Sequence, residues 1–288
     1  MCTALISVEP AGSVPVLLLF ARDEMADRAW LPPAQHWPGH PRLVGGMDLR
    51  EGGTWLAVRS GAADDTDDAD EAAAADAAGP APRAVALVNG FGVFAAPERR
   101  VTRGRLPLLA ASGVPLGDLD LTRYDPFHLL LADTAGVRML TWDGAALTDR
   151  ELGPGTHLVS NRSLEVADDE GLPSAPERAV TLIEARIKHF RPLLRSLRRP
   201  EPEPGLGPTE QAWAEWMRLA HGDNLDTSDV RALIGRHDWG EGQVWMTSSV
   251  SLIGVRADGR VRYDFNPAPD EGKWYEVDAA SAPGQSPH

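Results

Sequence analysis

Cys2 is the only cysteine of the chain. Removal of Met1, the usual processing when a small residue stands second, makes Cys2 the terminus and puts a thiol and a free α-amine on one residue. A free thiol titrates near ~8.5 and an α-amine near ~7.7–8.0, so at neutral pH the amine can accept the thiol proton in a useful fraction of molecules. Such a residue is a nucleophile carrying its own base. The plainer reading of a lone cysteine near a terminus is a small apolar side chain in an edge strand. What gives the first reading weight is position. Thr3–Val8 and Val14–Phe20 are aliphatic runs separated by Glu9-Pro10-Ala11-Gly12-Ser13, which predicts an antiparallel hairpin. The start of its first strand lies beside the end of its second, so Cys2 and the charged cluster Arg22-Asp23-Glu24 are predicted neighbours.

Composition narrows the setting. The chain has 288 residues, 43% of them hydrophobic, enough for a sizeable core in one domain with loops. A net charge of −14 and a pI of about 5.0 exclude broad attraction to nucleic acid or to an anionic membrane surface. Seven acids and no base fall between Asp64 and Asp76, half of that net charge. One cysteine excludes an internal disulfide and a cysteine-based zinc site, and fits a reducing, cytoplasmic setting. Val14–Phe20 is too short to span a bilayer and follows Glu9 rather than a basic region, so neither a membrane span nor a secretory leader is expected.

The elements that must position Cys2 are mostly strands. Trp30 to Pro41 mixes Trp, His and Pro and reads as a packed loop. Its His36 and His40 make a poor metal pair, with no cysteine or committed carboxylate beside them. Strands are expected at Thr54–Arg59, Ala84–Phe94, Phe127–Leu131, Val137–Trp142, Leu147–Leu152, Val244–Val255, Val261–Phe265 and Trp274–Val277, with a short helix over Arg105–Ser112. Residues 60–82, rich in Ala, Asp, Gly and Pro, read as a disordered acidic loop. Val180, Ile183, Ile187, Phe190, Leu194 and Leu197 recur at three- and four-residue steps and mark an amphipathic helix between Pro176 and Pro200. A linker at 201–208 leads to a second helix over Glu210–His221, and 279–288 reads as a frayed tail. Strands joined by short turns with helices gathered late give an α+β fold.

The opening Met1-Cys2-Thr3, the Arg22-Asp23-Glu24 cluster with Arg28, and Gly45-Gly46-Met47-Asp48-Leu49 followed by Gly52-Gly53-Thr54-Trp55-Leu56 resemble the transport and Golgi organisation family. That family is also named for its Asn-Arg-Asp-Glu (NRDE) motif and is grouped by similarity with the N-terminal nucleophile hydrolases. The resemblance implies one domain over 1–288, folded as a four-layer αββα sandwich of two antiparallel sheets. It also implies a site. Similar cysteine hydrolases, such as the bile salt and penicillin V hydrolases, place an Arg and an Asp after the second strand. Arg22 would hold the thiolate and Asp23 the α-ammonium. Asn161, in Val159-Ser160-Asn161, resembles the residue giving a side-chain amide to the oxyanion hole, and Asn89, in Leu87-Val88-Asn89-Gly90, the one giving a backbone N–H. The plainer readings are a surface ion pair for Arg22 and Asp23 and turn chemistry for the two asparagines. His157 is left out of the catalytic set, and Ser248 and Ser249 are candidate ligand contacts.

Ala21 stands where the motif has Asn, Met47 where Arg is usual, and Thr247 where Arg is expected. Two functions stay open. One is hydrolysis of a non-peptide carbon–nitrogen bond in a small acyl amide through a Cys2 thioester, with no cofactor or metal. The other is a non-catalytic binding or trafficking role for a hydrophobic ligand, lipid or haem, in which Cys2 would ligate haem and His36, His40 or His157 would partner it. Oligomeric state is open.

Overall fold

A computed structural model describes residues 2–59, 82–164 and 177–279. The acidic loop expected at 60–82 and the tail at 279–288 lie almost wholly outside them. The described strands form two antiparallel sheets. The second runs as a meander in chain order, from β3 (Trp30–Ala34) and β4 (Leu43–Asp48) through β5 (Leu56–Arg59) and β6 (Ala84–Asn89) to β7 (Phe127–Ala132), β8 (Val137–Trp142) and β9 (Leu147–Leu152). The first gathers strands from distant stretches. Its centre is β1 (Thr3–Val8), flanked by β2 (Val16–Met25) and β10 (Gly155–Ser160), with β11 (Ser163–Leu164) outside β10. Beyond β2 lie β13 (Val244–Val255), β14 (Val261–Asn266) and β15 (Tyr275–Glu276), while β12 (Arg236–Asp238) pairs with the start of β13.

Strand periodicity sorts the side chains into layers. Cys2, Ala4, Ile6, Leu18 and Phe20 point between the sheets and pack with Val58, Ala86, Val88 and Leu130 of the meander. Leu5, Leu17, Leu19 and Ala21 point the other way, onto Phe190, Leu193 and Leu194 of the long helix and onto Trp213 and Trp216. On the far side of the meander, Ala57, Val85, Leu87 and Leu129 meet Leu106 and Leu108. Three apolar layers separate four structural ones, the αββα order expected. Strands buried on both faces also explain why Val16–Ala21 is a continuous apolar run rather than an alternating one.

The helices are α1 (Leu106–Ala111), α2 (Glu177–Ser196), α3 (Thr209–Trp213) and α4 (Met217–Ala220). The second expected helix is thus broken in two, with Ala214 between them at φ 44°. Trp30–Ala34 is an edge strand rather than a loop. Its register with β4 shifts between Leu31 and Ala34, around Pro32 and Pro33, where prolines are tolerated because no partner needs their missing N–H. The strand expected to end before Arg22 runs on to Met25, because Arg22, Asp23 and Glu24 pair with Ser249, Thr247 and Met246 of β13.

Residues 201–208, the expected linker, are held to the first sheet. Arg262 of β14 is fully buried and donates to the carbonyls of Glu203, Leu206 and Gly207 as well as to both oxygens of Asp264. Asp264 in turn accepts from Thr209 Oγ1 and Trp213 Nε1.

Candidate active site

Cys2 lies immediately before β1, buried, its side chain turned between the sheets. Thr3 pairs with Ala21 of β2 and Ala4 with Val159 of β10. Continuing both registers puts Cys2 between Arg22 on one side and Asn161 on the other. Two residues separated by well over a hundred positions in sequence therefore flank the thiol for a purely topological reason. Asn161 is buried, and its Oδ1 has no hydrogen-bond partner among the described residues. A buried orphan acceptor is costly, and its side-chain amide is the kind of group that a bound ligand would complete.

Cys2 lines a cavity of about 120 Å³ with Arg22, Asn89, Trp55, Arg103 and the acid–base cluster Glu24, Arg28, Asp48 and Glu51. The Arg22 guanidinium stands 4.1 Å from the centre of the Trp55 ring, a cation–π arrangement, and 3.5 Å from Asp48. Its Nη1 donates to Ser248 Oγ, which donates back to the Arg22 carbonyl. Ser248 is the extra residue of a bulge between Thr247 and Ser249, and the bulge re-aims its hydroxyl onto Arg22. Arg28 binds Asp48 through two hydrogen bonds, at 2.5 and 3.2 Å. Burial pulls the Asp48 carboxyl upward, but the bonds from Arg28 and the Glu51 N–H outweigh it and leave it below its ordinary range.

Arg22 and Asp23 divide between the two faces of β2. Asp23 faces α2, where it accepts from Arg186 Nη1 at 2.8 Å and from Thr247 Oγ1 at 2.6 Å. Arg186 also donates to Thr3 Oγ1 and to the Ala232 carbonyl. Thr247, standing where the family motif expects a cation, thus hydrogen-bonds Asp23 while α2 supplies the positive charge. Burial pushes the Cys2 thiol up, the terminal ammonium opposes this, the Asp23 carboxylate adds to it, and Arg22 opposes it. The thiol is therefore held protonated until a base takes its proton.

The expected residues Cys2, Arg22 and Asn89 share the cavity. Asn161 adjoins Cys2 by register, and the Asp23 carboxylate lies behind the sheet. Three residues escaped the sequence reading. Arg186 stands on the apolar stripe of α2, three residues from Ile183 and four from Phe190, and a cation on such a stripe is a readable signal. His128 of β7 is buried, contacts Thr141 Oγ1 and the Asn161 carbonyl, and is held neutral by burial at a pKa of about 4. Arg103 is brought in by a close backbone approach: a Cβ on Gly53 would fall 2.5 Å from Gly104, whose carbonyl accepts from the Thr54 N–H. Only glycine fits there, and the sequence around Arg103 carries no sign of it.

The histidines offered as partners for a haem on Cys2 stand apart from this cavity. None of His36, His40 and His157 lines it. Their ring nitrogens contact the Pro32 carbonyl, Ser112 Oγ and the Gly153 carbonyl respectively. Among the described residues no three His, Cys, Asp or Glu side chains are grouped to hold a metal, and no helix is long and apolar enough to cross a membrane.

Residues 1–63 match the family model described as Transport and Golgi organisation 2, the family whose resemblance was read from the same stretch. No curated protein matches the chain. Among solved structures it is similar to the Caenorhabditis elegans N-acylethanolamine-hydrolyzing acid amidase ortholog, at 12% identity and a TM-score of 0.39, over 96% of this chain and 100% of that one.

Proposed function

We propose that this chain, alike over its first 63 residues to the transport and Golgi organisation family, is an N-terminal cysteine hydrolase of a non-peptide carbon–nitrogen bond. The observation that carries this reading is the seat of Cys2, at the mouth of β1 between Arg22 and Asn161 and in one cavity with Asn89. A thiol pushed up by burial is a poor spontaneous nucleophile, so it needs a base within reach. Removal of Met1 supplies one, the α-amine of Cys2 itself.

The amine takes the thiol proton as the sulfur attacks the amide carbonyl carbon, forming the C–S bond of a tetrahedral adduct. The oxyanion is received by the Asn161 side-chain amide and the Asn89 backbone N–H. Collapse breaks the C–N bond, the α-ammonium returns its proton to the leaving amine, and a thioester remains. Water, deprotonated by the same amine, then attacks the thioester and releases the acid and the thiol. Arg22 favours the thiolate throughout, and Asp23, fixed by Arg186 and Thr247, keeps the strand end in place. No step uses a cofactor, and a cytoplasmic setting keeps the thiol reduced. The competing carrier role for lipid sits poorly with a cavity lined by six charged side chains: Arg22, Glu24, Arg28, Asp48, Glu51 and Arg103.

The test is a screen of small acyl amides with the native protein, beside an intact-mass measurement. The expected result is a protein lacking the Met1 mass, turnover of at least one amide, and loss of that turnover in Cys2→Ala. A native protein that keeps Met1, or Cys2→Ala turning over the amide at the native rate, would overturn the proposal.

A further inference from the structure

We infer that the cavity at Cys2 takes a substrate bearing a carboxylate, and that Arg103 is the residue that binds it. The inference deepens the amide-hydrolysis reading and rests on Cys2 as the reacting group. The cavity holds three cations and three acids, but the charges are not evenly matched. Arg28 is bound by Asp48, and Arg22 lies within 4.0 Å of both Asp48 and Glu24. Arg103 is different. Its guanidinium donates to one neutral acceptor, the Pro126 carbonyl, at 2.8 Å. Among the described residues it has no ion-pair partner. Asp125, whose field reaches it, is paired with Arg100 at 3.1 Å and accepts from the Ala95 N–H.

Arg103 is half-buried, and a guanidinium with one neutral partner keeps donors open to the cavity it lines, where a counter-charge can meet them. Its planar fork suits a carboxylate, which can take two parallel hydrogen bonds. The backbone makes the placement rigid. Thr102 Oγ1 caps the Gly104 N–H, and Gly104 lies against Gly53 too closely for any side chain between them. Arg103 is thus fixed on the wall that Cys2 also lines.

The test reads charge selectivity at Cys2 without any turnover. Iodoacetate and iodoacetamide differ in little but the carboxylate. Each alkylates a thiolate by forming a C–S bond as iodide leaves. The rate ratio of the two reagents at Cys2 is measured by intact mass in the native protein, in Arg103→Gln and in Arg103→Lys, with N-acetylcysteine as the free-thiol reference. Because both rates come from one protein, the ratio cancels any change in thiol reactivity, and a melting curve checks that each variant is folded. The expected result is a ratio favouring iodoacetate over the reference by about tenfold or more, as one charge-assisted hydrogen-bonded pair gives. Arg103→Gln loses that preference and Arg103→Lys keeps part of it. A native ratio equal to the reference, a preference unchanged in Arg103→Gln, or a Cys2 that neither reagent reaches would overturn the inference. Absence of amide turnover alongside a ratio that follows Arg103 would instead overturn only the hydrolase reading.

Discussion

Replacing Arg186 by Met is the sharpest perturbation of the scaffold beneath the site. Met keeps the unbranched apolar stem of the side chain and removes its charge and donors. The variant loses hydrogen bonds to Asp23 Oδ2 and Thr3 Oγ1, each 2.8 Å, and to the Ala232 carbonyl at 3.0 Å. It takes the Arg186 cation away from the Asp23 carboxylate, which is only 2% exposed. Breaking a buried pair from one side costs about 3–5 kcal/mol, because the remaining charge stays desolvated. With a urea dependence of about 3 kcal/mol per molar, the unfolding midpoint falls by about 1–1.7 M. Asp23→Asn in the same background recovers part of that loss, and the double-mutant cycle gives a coupling of more than about 2 kcal/mol. A loss below about 1 kcal/mol, or two substitutions whose effects simply add, would refute the view that α2 and β2 are joined by this ion pair.

Two further perturbations test other parts of the structure. His128, held at a pKa of about 4 against 6.5 when unfolded, stabilises the fold only while neutral. Its contribution, about 3 kcal/mol, is complete above pH 6.5 and lost as the pH falls toward 4. Urea midpoints measured from pH 7 to pH 4.5 should fall less steeply in His128→Gln than in the native protein, and parallel curves would contradict the assignment. Arg262→Met strands Asp264 and frees three carbonyls of residues 201–208, with an expected loss of about 3–5 kcal/mol. Limited proteolysis should then cut within 201–208 well before the native protein is cut, and unchanged resistance there would count against the anchoring role of Arg262.

The hairpin that brings Cys2 to Arg22 was legible because aliphatic runs and an intervening Pro-Gly turn obey local rules. So were Val137–Trp142, Leu147–Leu152 and Val244–Val255, whose observed bounds match the expected ones. Local pattern failed where tertiary pairing decides. Arg22, Asp23 and Glu24 look like a strand terminus by charge, yet β13 covers them and keeps the strand going. Pro32 and Pro33 look like a loop, yet an edge position tolerates them. Gly155–Ser160, just after Gly153-Pro154, is not among the expected strands, although it is the strand that sets Asn161 beside Cys2. Met47 and Thr247 stand where the motif has cations and Ala21 where it has an amide, which leaves open a more apolar ligand or a site kept for binding. Arg103 and Arg186 enter from elements with no sequence link to that motif, which explains why the loss of expected cations did not empty the site of them.

The unlike connectivity of the two sheets sets an order of assembly. The meander pairs strands in chain order and can form as the chain is made, four of its six connections being short and closing at low entropic cost. The first sheet cannot. β1, the earliest strand synthesised, waits for β10 some 150 residues later, and β2 waits for β13, so Arg22 meets Ser248 across a sequence separation of 226. A chain interrupted anywhere before Val244 lacks the strand that covers Arg22 and Asp23. Cys2 thus precedes every described strand and is among the last residues to be set in place, and a chain without β10 and β13 carries it as an ordinary exposed thiol.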